Sequence, residues 1–568
     1  MTKRAISRSL EFDRIAGLPI RDWRKYDFDS LIPALTKRFK TPNGQMVLRP
    51  IQAASLKDFY ENNGLLGNIG VGHGKSLICY LAPLLVNAER PLLLIKADLK
   101  EKTLLELTEI YNEHFILPSK LKVMSYEKLS RTTGQKEFVE YAPDLIIADE
   151  CHKLKNTKAA CTRRVMRWFK EHPDTKLLAV SGTTCRKSIM NYWHTLSTCL
   201  RDKSPLPRGW REVKDWSLAL DEEIFYGYQR LDPGVLLQFK ETTQSKKLDQ
   251  ARESYRHRLT STPGVIFSNN EEDVTCSIQL DCILNRNDSP AIQQAFKRLR
   301  ETWQTPNGED LMDAMQVWAI SQQLATGFYL KWKHRPPQEW LDARKEWAGF
   351  VRRTIAHNRK GIDSEEAVKK AVLIGEYSRD IYDIWAKVKP TFEIINETVW
   401  LDDSVCLQAT EWLKKNDGIC WVWWRELGPK ISELSGLPFY SNGGINKQTG
   451  KIIEKASGPI IASIGSNVEG RNLQKWNKNL VVNWPNSNVT AEQLIGRTHR
   501  SGQDADEVSF DVLLGSYESW VGFNKCLDEA RFIRQIHGTD QKVLLADIKK
   551  VDKKIINNLK DNWAWNVK

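Results

Sequence analysis

The chain has 568 residues, 41% of them hydrophobic and 27% charged, which excludes a disordered polymer and leaves room for roughly three to four domain-sized units. Lysine and arginine exceed aspartate and glutamate by 13, a balance that favours a polyanionic partner such as nucleic acid. No apolar run reaches the ~18 residues of a membrane span, and the polar N-terminus lacks the apolar core of a signal peptide, so no membrane partner is expected and the compartment is expected to be cytoplasmic.

The ten cysteines include no Cys-x-x-Cys pair, and the closest couple, Cys276 and Cys282, has no histidine cluster beside it. Reduced thiols and no zinc site are therefore expected. Most of the 21 tryptophans are expected to be core and surface anchors.

Residues 1–45 read as a polar and aromatic N-terminal extension. From 46 onward, short apolar runs at 65–67, 92–95, 122–125, 144–148 and 177–181 alternate with helical stretches such as 101–115 and 158–170. Runs of this kind, bounded by Gly, Pro and Asp, predict buried parallel strands and a doubly wound α/β lobe over 46–188. Residues 189–404 read as a mainly helical insert, with loops at 203–209 and 305–308 and a strand-like patch at 274–283. A second α/β lobe is expected over 405–535, with strands at 419–423, 459–463 and 480–483, and a basic tail over 536–568 carrying Trp563 and Trp565.

The first lobe opens on Arg49-Pro50-Ile51-Gln52, a helix start in which the Gln52 amide could read an adenine edge. Gly70-Val71-Gly72-His73-Gly74-Lys75-Ser76 then falls between a predicted strand and the apolar helix 77–85. Glycines there let backbone N–H groups close on phosphates, and the helix N-terminus favours negative charge. Lys75 would reach the β- and γ-phosphates, and Ser76 would ligate Mg2+. The strict phosphate-loop pattern asks for Gly at position 69, where this chain has Ile69.

Asp149-Glu150 ends the run 144–148, and a carboxylate at a strand's C-terminal end faces the crevice where ligands bind. Asp149 would hold the magnesium and Glu150 would orient the attacking water. His152 is either a coupling residue or a local hydrogen-bond partner. Ser181 and Thr183, after the run 177–181, suit either γ-phosphate sensing or ordinary turn chemistry. Far downstream, Arg497 and Arg500 in Gln493–Arg500 are three apart on a predicted helix face, so two guanidinium groups could stabilise phosphoryl-transfer charge from the second lobe. Two basic stretches are weighed as nucleic-acid contacts against plain amphipathic or surface roles. One is Lys331, Lys333, Arg335, Arg344, Arg352 and Arg353 with Trp332, Trp340 and Trp347; the other is Arg256-His257-Arg258.

The ordered set resembles superfamily 2 helicases, and within them the Snf2-like group. Residues 69–76 are similar to motif I, Gln52 to the Q motif, Ile95-Lys96 to motif Ia, and Met124-Ser125-Tyr126-Glu127 to motif Ib. Asp149-Glu150-Cys151-His152 looks like motif II with Cys151 in place of the usual Ala or Gly, and Ser181-Gly182-Thr183-Thr184 looks like motif III with Thr184 in place of Pro. Residues 421–425 sit at motif IV, 463–474 resemble motif V, and 493–503 closely match motif VI. The resemblance implies two RecA-like lobes with a helical insertion between them, with ATP and Mg2+ bound by Gln52, Gly70, Gly72, His73, Gly74, Lys75, Ser76 and Asp149. It implies coupling through His152, Ser181, Thr183, Gly470 and Gln493, catalysis by Lys75, Asp149, Glu150, Arg497 and Arg500, and DNA contacts at Lys96, Ser125, Arg425 and Asn472.

The activity implied is ATP-driven translocation on duplex or branched DNA without sequence preference, remodelling forks, branches or protein–DNA complexes. Three other readings stand beside it: a strand-separating DNA or RNA helicase, an ATP-switched DNA-binding scaffold, and the motor subunit of a defence or restriction complex. A motor this short, with no recognised accessory module, suits a bacteriophage or mobile element, which would place it in the host cell's cytoplasm.

Overall fold

The computed structural model describes residues 4–70, 72–157, 159–182, 184, 187–222, 224, 228–268, 274–284, 289–357 and 365–549. Two compact α/β units emerge. The first is drawn from Met1–Ile224, Gln229–Val274 and Asp528–Leu544, and the second centres on Thr275–Leu527.

The first unit is built on a six-stranded sheet of β1 (Gly64–Asn68), β2 (Pro91–Ile95), β3 (Lys122–Ser125), β4 (Leu145–Asp149), β5 (Lys176–Ser181) and β6 (Val265–Phe267), in the order β3-β2-β4-β5-β1-β6. Every pairing is parallel. Successive residues on a strand point to opposite faces, and both faces here are apolar. Leu66, Leu92, Leu94, Ile146, Leu177 and Ala179 enter one core. Their neighbours Leu65, Leu93, Ile95, Ile147, Leu178 and Val180 enter the other. That two-sided burial is why the strands read as unbroken apolar runs rather than alternating ones.

The 1–45 segment is part of this unit. Phe12 and Ile15 are buried in its first core, and Phe39 in its second. Arg21 forms a buried ion pair with Asp58, whose carboxylate also accepts the Gly264 N–H at 2.7 Å.

The second unit carries an eight-stranded sheet whose members, in chain order, are β7 (Ser277–Leu284), then β10 (Ile419–Val422), β11 (Phe439–Ser441), β12 (Ile445–Asn446), β13 (Ile460–Ser463), β14 (Lys478–Val481), β15 (Glu507–Leu514) and β16 (Asp547–Ile548). A separate antiparallel pair, β8 (Phe328–Trp332) and β9 (Asn396–Trp400), lies between β7 and β10 in sequence. The order of the large sheet is β12-β11-β13-β10-β14-β15-β7-β16, parallel throughout except for β11 with β12. The strand-like patch at 274–283 thus becomes β7, paired over its whole length with β15.

Residues 189–404, read from sequence as one helical block, are shared between the units. Helices Trp193–Leu200, Trp210–Leu220 and Lys247–Thr260 pack in the first, and Pro290–Thr302, Ala314–Leu324, Gln338–Ala356 and Asp380–Val388 in the second. On Gln338–Ala356, the buried Trp340, Ala343, Trp347, Ala348 and Val351 form one helical stripe. No helix among the described residues is long and apolar enough to cross a membrane.

Candidate functional site

All strands of the first sheet run the same way, so their carboxyl ends share one edge. Asn68 ends β1, Ser125 ends β3, Asp149 ends β4 and Ser181 ends β5, while Lys96 directly follows β2. This edge of a parallel α/β sheet is where ligands bind.

The glycine loop leaves β1 here. Gly72 and Gly74 adopt φ of 96° and 71°, a left-handed conformation open to glycine at little cost. Gly74 is the N-cap of helix Lys75–Leu85, whose buried residues from Leu77 onward anchor it to the core. Gln52 and Arg49 hold the loop from helix Pro50–Asn62. The Gln52 Nε2 donates to the Gly74 carbonyl at 3.1 Å while its Oε1 accepts the Arg49 N–H at 2.9 Å, and Arg49 Nη1 donates to the Gly72 carbonyl at 2.7 Å. Both ends of the Gln52 amide are therefore engaged with backbone, and its role in this structure is to clamp the loop.

Lys75, Glu150, His152 and Ser181 converge. The Lys75 Nζ lies 3.1 Å from Glu150 Oε1, and the Ser181 hydroxyl donates to Glu150 Oε2 at 2.9 Å. His152 Nδ1 lies 3.0 Å from Ser181 Oγ and 3.2 Å from Glu150 Oε2. Burial opposes the charge on Glu150, but the Lys75 ammonium and the His152 and Ser181 contacts outweigh it and hold the carboxyl well below its usual range. Asp149 moves the other way. Burial, then the Glu150 charge, push its carboxyl up, with the Lys75 charge as a partial offset. Glu150 itself sits at φ 53°, a costly conformation for a residue with a Cβ, which turns the chain sharply at the end of β4. Tyr126 steadies that turn by donating its hydroxyl to the Asp149 carbonyl at 2.7 Å.

Ser76, in the first turn of the helix, and Asp149, at the end of β4, supply hard oxygen donors. Among the described residues no three His, Cys, Asp or Glu side chains gather into a metal cluster. A pair of protein oxygens completed by phosphate and water oxygens is the donor set that magnesium takes, so the residues fit that ion. Gly70 and His73 belong to the same loop, and Thr183 lies outside the described residues.

The positions where the chain departs from the motif patterns have structural explanations. Ile69 is fully buried in the second core and its N–H donates to the Ser181 carbonyl at 2.9 Å, so it continues β1 rather than joining the loop. Cys151 is buried in the first core. Thr184 donates its N–H to Asn68 Oδ1 at 3.0 Å, a bond that proline could not make.

In the second unit, helix Asn488–Thr498 ends before Arg500, so the two arginines do not share a helix face in full. They converge instead on one carbonyl. Arg497 Nη1 and Arg500 Nη1 donate to the Arg471 oxygen at 2.9 and 3.2 Å, and Arg500 Nη1 also donates to Asn472 Oδ1 at 2.6 Å. Arg497 is buried and also bonds the Gln493 carbonyl at 2.9 Å. Together they brace the turn that begins at Gly470, which adopts φ 68°.

The expected nucleic-acid contacts differ in accessibility. Arg425, in the turn after β10, and Asn472 are exposed, and Lys96 is half-buried. Ser125 is buried and caps helix Tyr126–Leu129 by accepting the Lys128 N–H at 3.0 Å. Arg258 is no surface contact: it is buried, donating to the Leu18 and Pro19 carbonyls at 3.0 and 2.7 Å. In the other basic stretch, Trp340 and Trp347 are core, Lys331 pairs with Glu397 at 2.8 Å, Arg352 lies 3.3 Å from Asp310, and Arg344 packs 4.6 Å from the Trp332 ring centre. Lys333 and Arg335 remain exposed.

Sequence reading did not find Asn68 and Ser268 as supports of the loop. They act on partners 116 and 198 residues away, and no local pattern marks them. Compared with known proteins, the chain matches no family model, and no curated protein matches it in sequence.

Proposed function

We propose that the chain is an ATP-hydrolysing motor of the Snf2-like, superfamily 2 kind that moves on DNA and remodels forks, branches or protein–DNA complexes. The observation that carries this reading is the Lys75–Glu150–His152–Ser181 cluster, set beside a glycine loop at the carboxyl edge of a parallel sheet. The strand order supports a RecA-like lobe, because β5 separates the loop strand β1 from β4, the strand that ends in Asp149. The second parallel sheet, with Arg497 and Arg500 beside Arg471 and Asn472, supports a second lobe of the same kind.

In this reading Lys75 binds the β- and γ-phosphates, and phosphate oxygens compete with Glu150 for its ammonium. Glu150, held ionised, accepts a hydrogen bond from the attacking water and orients it. His152 and Ser181 fix the Glu150 carboxylate, and the state of that carboxylate is passed to β5 through Ser181. Ser76 and Asp149 would hold Mg2+, which when bound supplies positive charge to the phosphates. Arg497 and Arg500 would add positive charge from the second lobe on closure. The excess of 13 basic residues, with exposed Arg425 and Asn472, supports a phosphate-gripping and therefore salt-sensitive DNA contact.

The test is ATP turnover measured side by side without nucleic acid and with duplex DNA, single-stranded DNA, forked DNA and RNA. Strong stimulation by duplex supports the translocase. Preference for single strands or RNA moves the assignment to a strand-separating helicase. No stimulation by any of them points to an ATP-switched scaffold or a motor awaiting a partner chain. Lys75→Ala is expected to abolish turnover, and normal turnover in that variant would sink the nucleotide site itself.

A further inference from the structure

The root of the glycine loop is fixed from both sides of β1. On one side, the Ile69 N–H donates to the Ser181 carbonyl of β5 at 2.9 Å, and the Asn68 side chain accepts the Thr184 N–H at 3.0 Å. On the other side stands β6, paired in parallel so that Asn68 faces Phe267. The next residue, Ser268, donates its N–H to the Asn68 carbonyl at 3.1 Å. Its hydroxyl oxygen then accepts the N–H of Gly70 at 2.8 Å. Ser268 is 6% exposed, so water competes poorly for this bond.

Gly70 is the first glycine of the loop, and its N–H is held by the Ser268 hydroxyl oxygen directly after β1 and Ile69. Without an acceptor, this half-buried donor would lose its bond and the loop would gain freedom at its root. Ser268 comes from a segment that none of the recognised motifs covers. We propose that Ser268 is a positioning residue of the nucleotide site, its hydroxyl oxygen fixing Gly70 so that the following loop is preformed for phosphate. The inference rests on the nucleotide-site reading above.

A preformed loop binds phosphate equally well before and during reaction, so its loss acts on binding rather than on the chemical step. In the full-length chain, Ser268→Ala is expected to raise the KM for ATP about fivefold to tenfold while kcat falls less than twofold, in line with one lost hydrogen bond. Ser268→Thr keeps the hydroxyl and is expected to return KM to within twofold of the unsubstituted protein. If Ser268→Ala does not fold, Ser268→Cys, a weaker acceptor of similar size, is expected to give an intermediate KM.

An unchanged KM in Ser268→Ala, or in Ser268→Cys where it replaces Ala, overturns the proposal. So does a fall in kcat that Ser268→Thr does not restore, which would mark a packing role. Equilibrium binding of ATP to the unsubstituted protein separates the two levels of argument. If that protein binds no ATP, the nucleotide-site reading fails and this inference with it. If it binds ATP and the Ser268 variants bind as tightly, only the inference fails.

Discussion

Glu150 is the residue on which the candidate site turns, because three partners define its two oxygens. Lys75 takes one, while Ser181 and His152 meet the other. A neutral amide at this position keeps the shape but loses the acceptor strength that orients water. Glu150→Gln is therefore expected to bind ATP while turning it over at least ~100-fold more slowly, checked by single-turnover hydrolysis beside equilibrium binding. Ile69 makes the opposite case. It occupies a motif position, yet it is fully buried among Leu65, Ile78 and Ile266 in the second core. Ile69→Ala is expected to cost ~2–5 kcal/mol in urea unfolding, the cost of truncating a buried aliphatic side chain. A cost under ~1 kcal/mol would mean that the position belongs to the loop and not to the core.

Helix Leu10–Ala16 shows how an element invisible to motif analysis is built in. Its Ser9 cap accepts the Phe12 N–H, and its Arg14 donates to the Asp202, Ser204 and Leu206 carbonyls at 2.6 to 3.0 Å. Glu11 completes the clasp, pairing with Arg14 at 2.9 Å and accepting the Arg208 N–H at 2.9 Å. Burial opposes the Glu11 charge, but the Arg14 and Arg208 contacts outweigh it and draw the carboxyl down to about 2. A carboxyl held below its unfolded value gives stability that is present above the usual carboxylate range and is lost as pH falls toward that lowered value. Glu11→Gln is thus expected to melt a few degrees lower than the unsubstituted protein at pH 7. The gap should close progressively from about pH 5 down to about pH 2; a gap independent of pH would remove the ion pair as its cause.

Strands β1 to β5, β10, β13 and β14 were legible because each carries a short apolar run with turn residues at its ends, and β7 was legible as an alternating patch, whereas β11, β12, β15 and β16 were not expected from sequence. Helix Leu10–Ala16 was not legible, because its partners at 202–208 lie almost 200 residues away. The same distance hid β6 and Ser268. The convergence of Lys75 with Glu150 follows from two sequence patterns once the strand order is known, whereas the clamping role of Gln52 depends on a side-chain orientation that sequence does not fix.

At the scale of the whole molecule, the first unit is not a contiguous stretch of chain. It is completed by Asp528–Leu544, which the sequence had divided between a second lobe and a basic tail. Phe532 and Ile536 are buried in the same core as Tyr192, Trp216, Leu236 and Tyr255. Arg252 lies 5.0 Å from the Phe532 ring centre and donates to Gln535 Oε1 at 2.6 Å, while Gln535 Nε2 donates to Asp249 Oδ1 at 3.1 Å. His537, fully buried against Tyr192 and Phe267, has its imidazole held neutral by burial, down to about 3. A late segment of the chain therefore seals the core behind the sheet that carries the candidate site, and the unit cannot be complete until that segment has been made.

Phe532→Ala is expected to cost ~3–5 kcal/mol in urea unfolding, as for other buried aromatics. A chain ending at Leu527 would lose Phe532, Ile536 and His537 together and leave their neighbours exposed. Hydrogen exchange gives the decisive comparison, since it reports stability segment by segment. In the shortened chain, protection is expected to collapse in helices Trp210–Leu220 and Lys247–Thr260 and to persist in β10, β13 and β14. Undiminished protection in those two helices would show that Asp528–Leu544 is a dispensable tail and not part of the first unit's core.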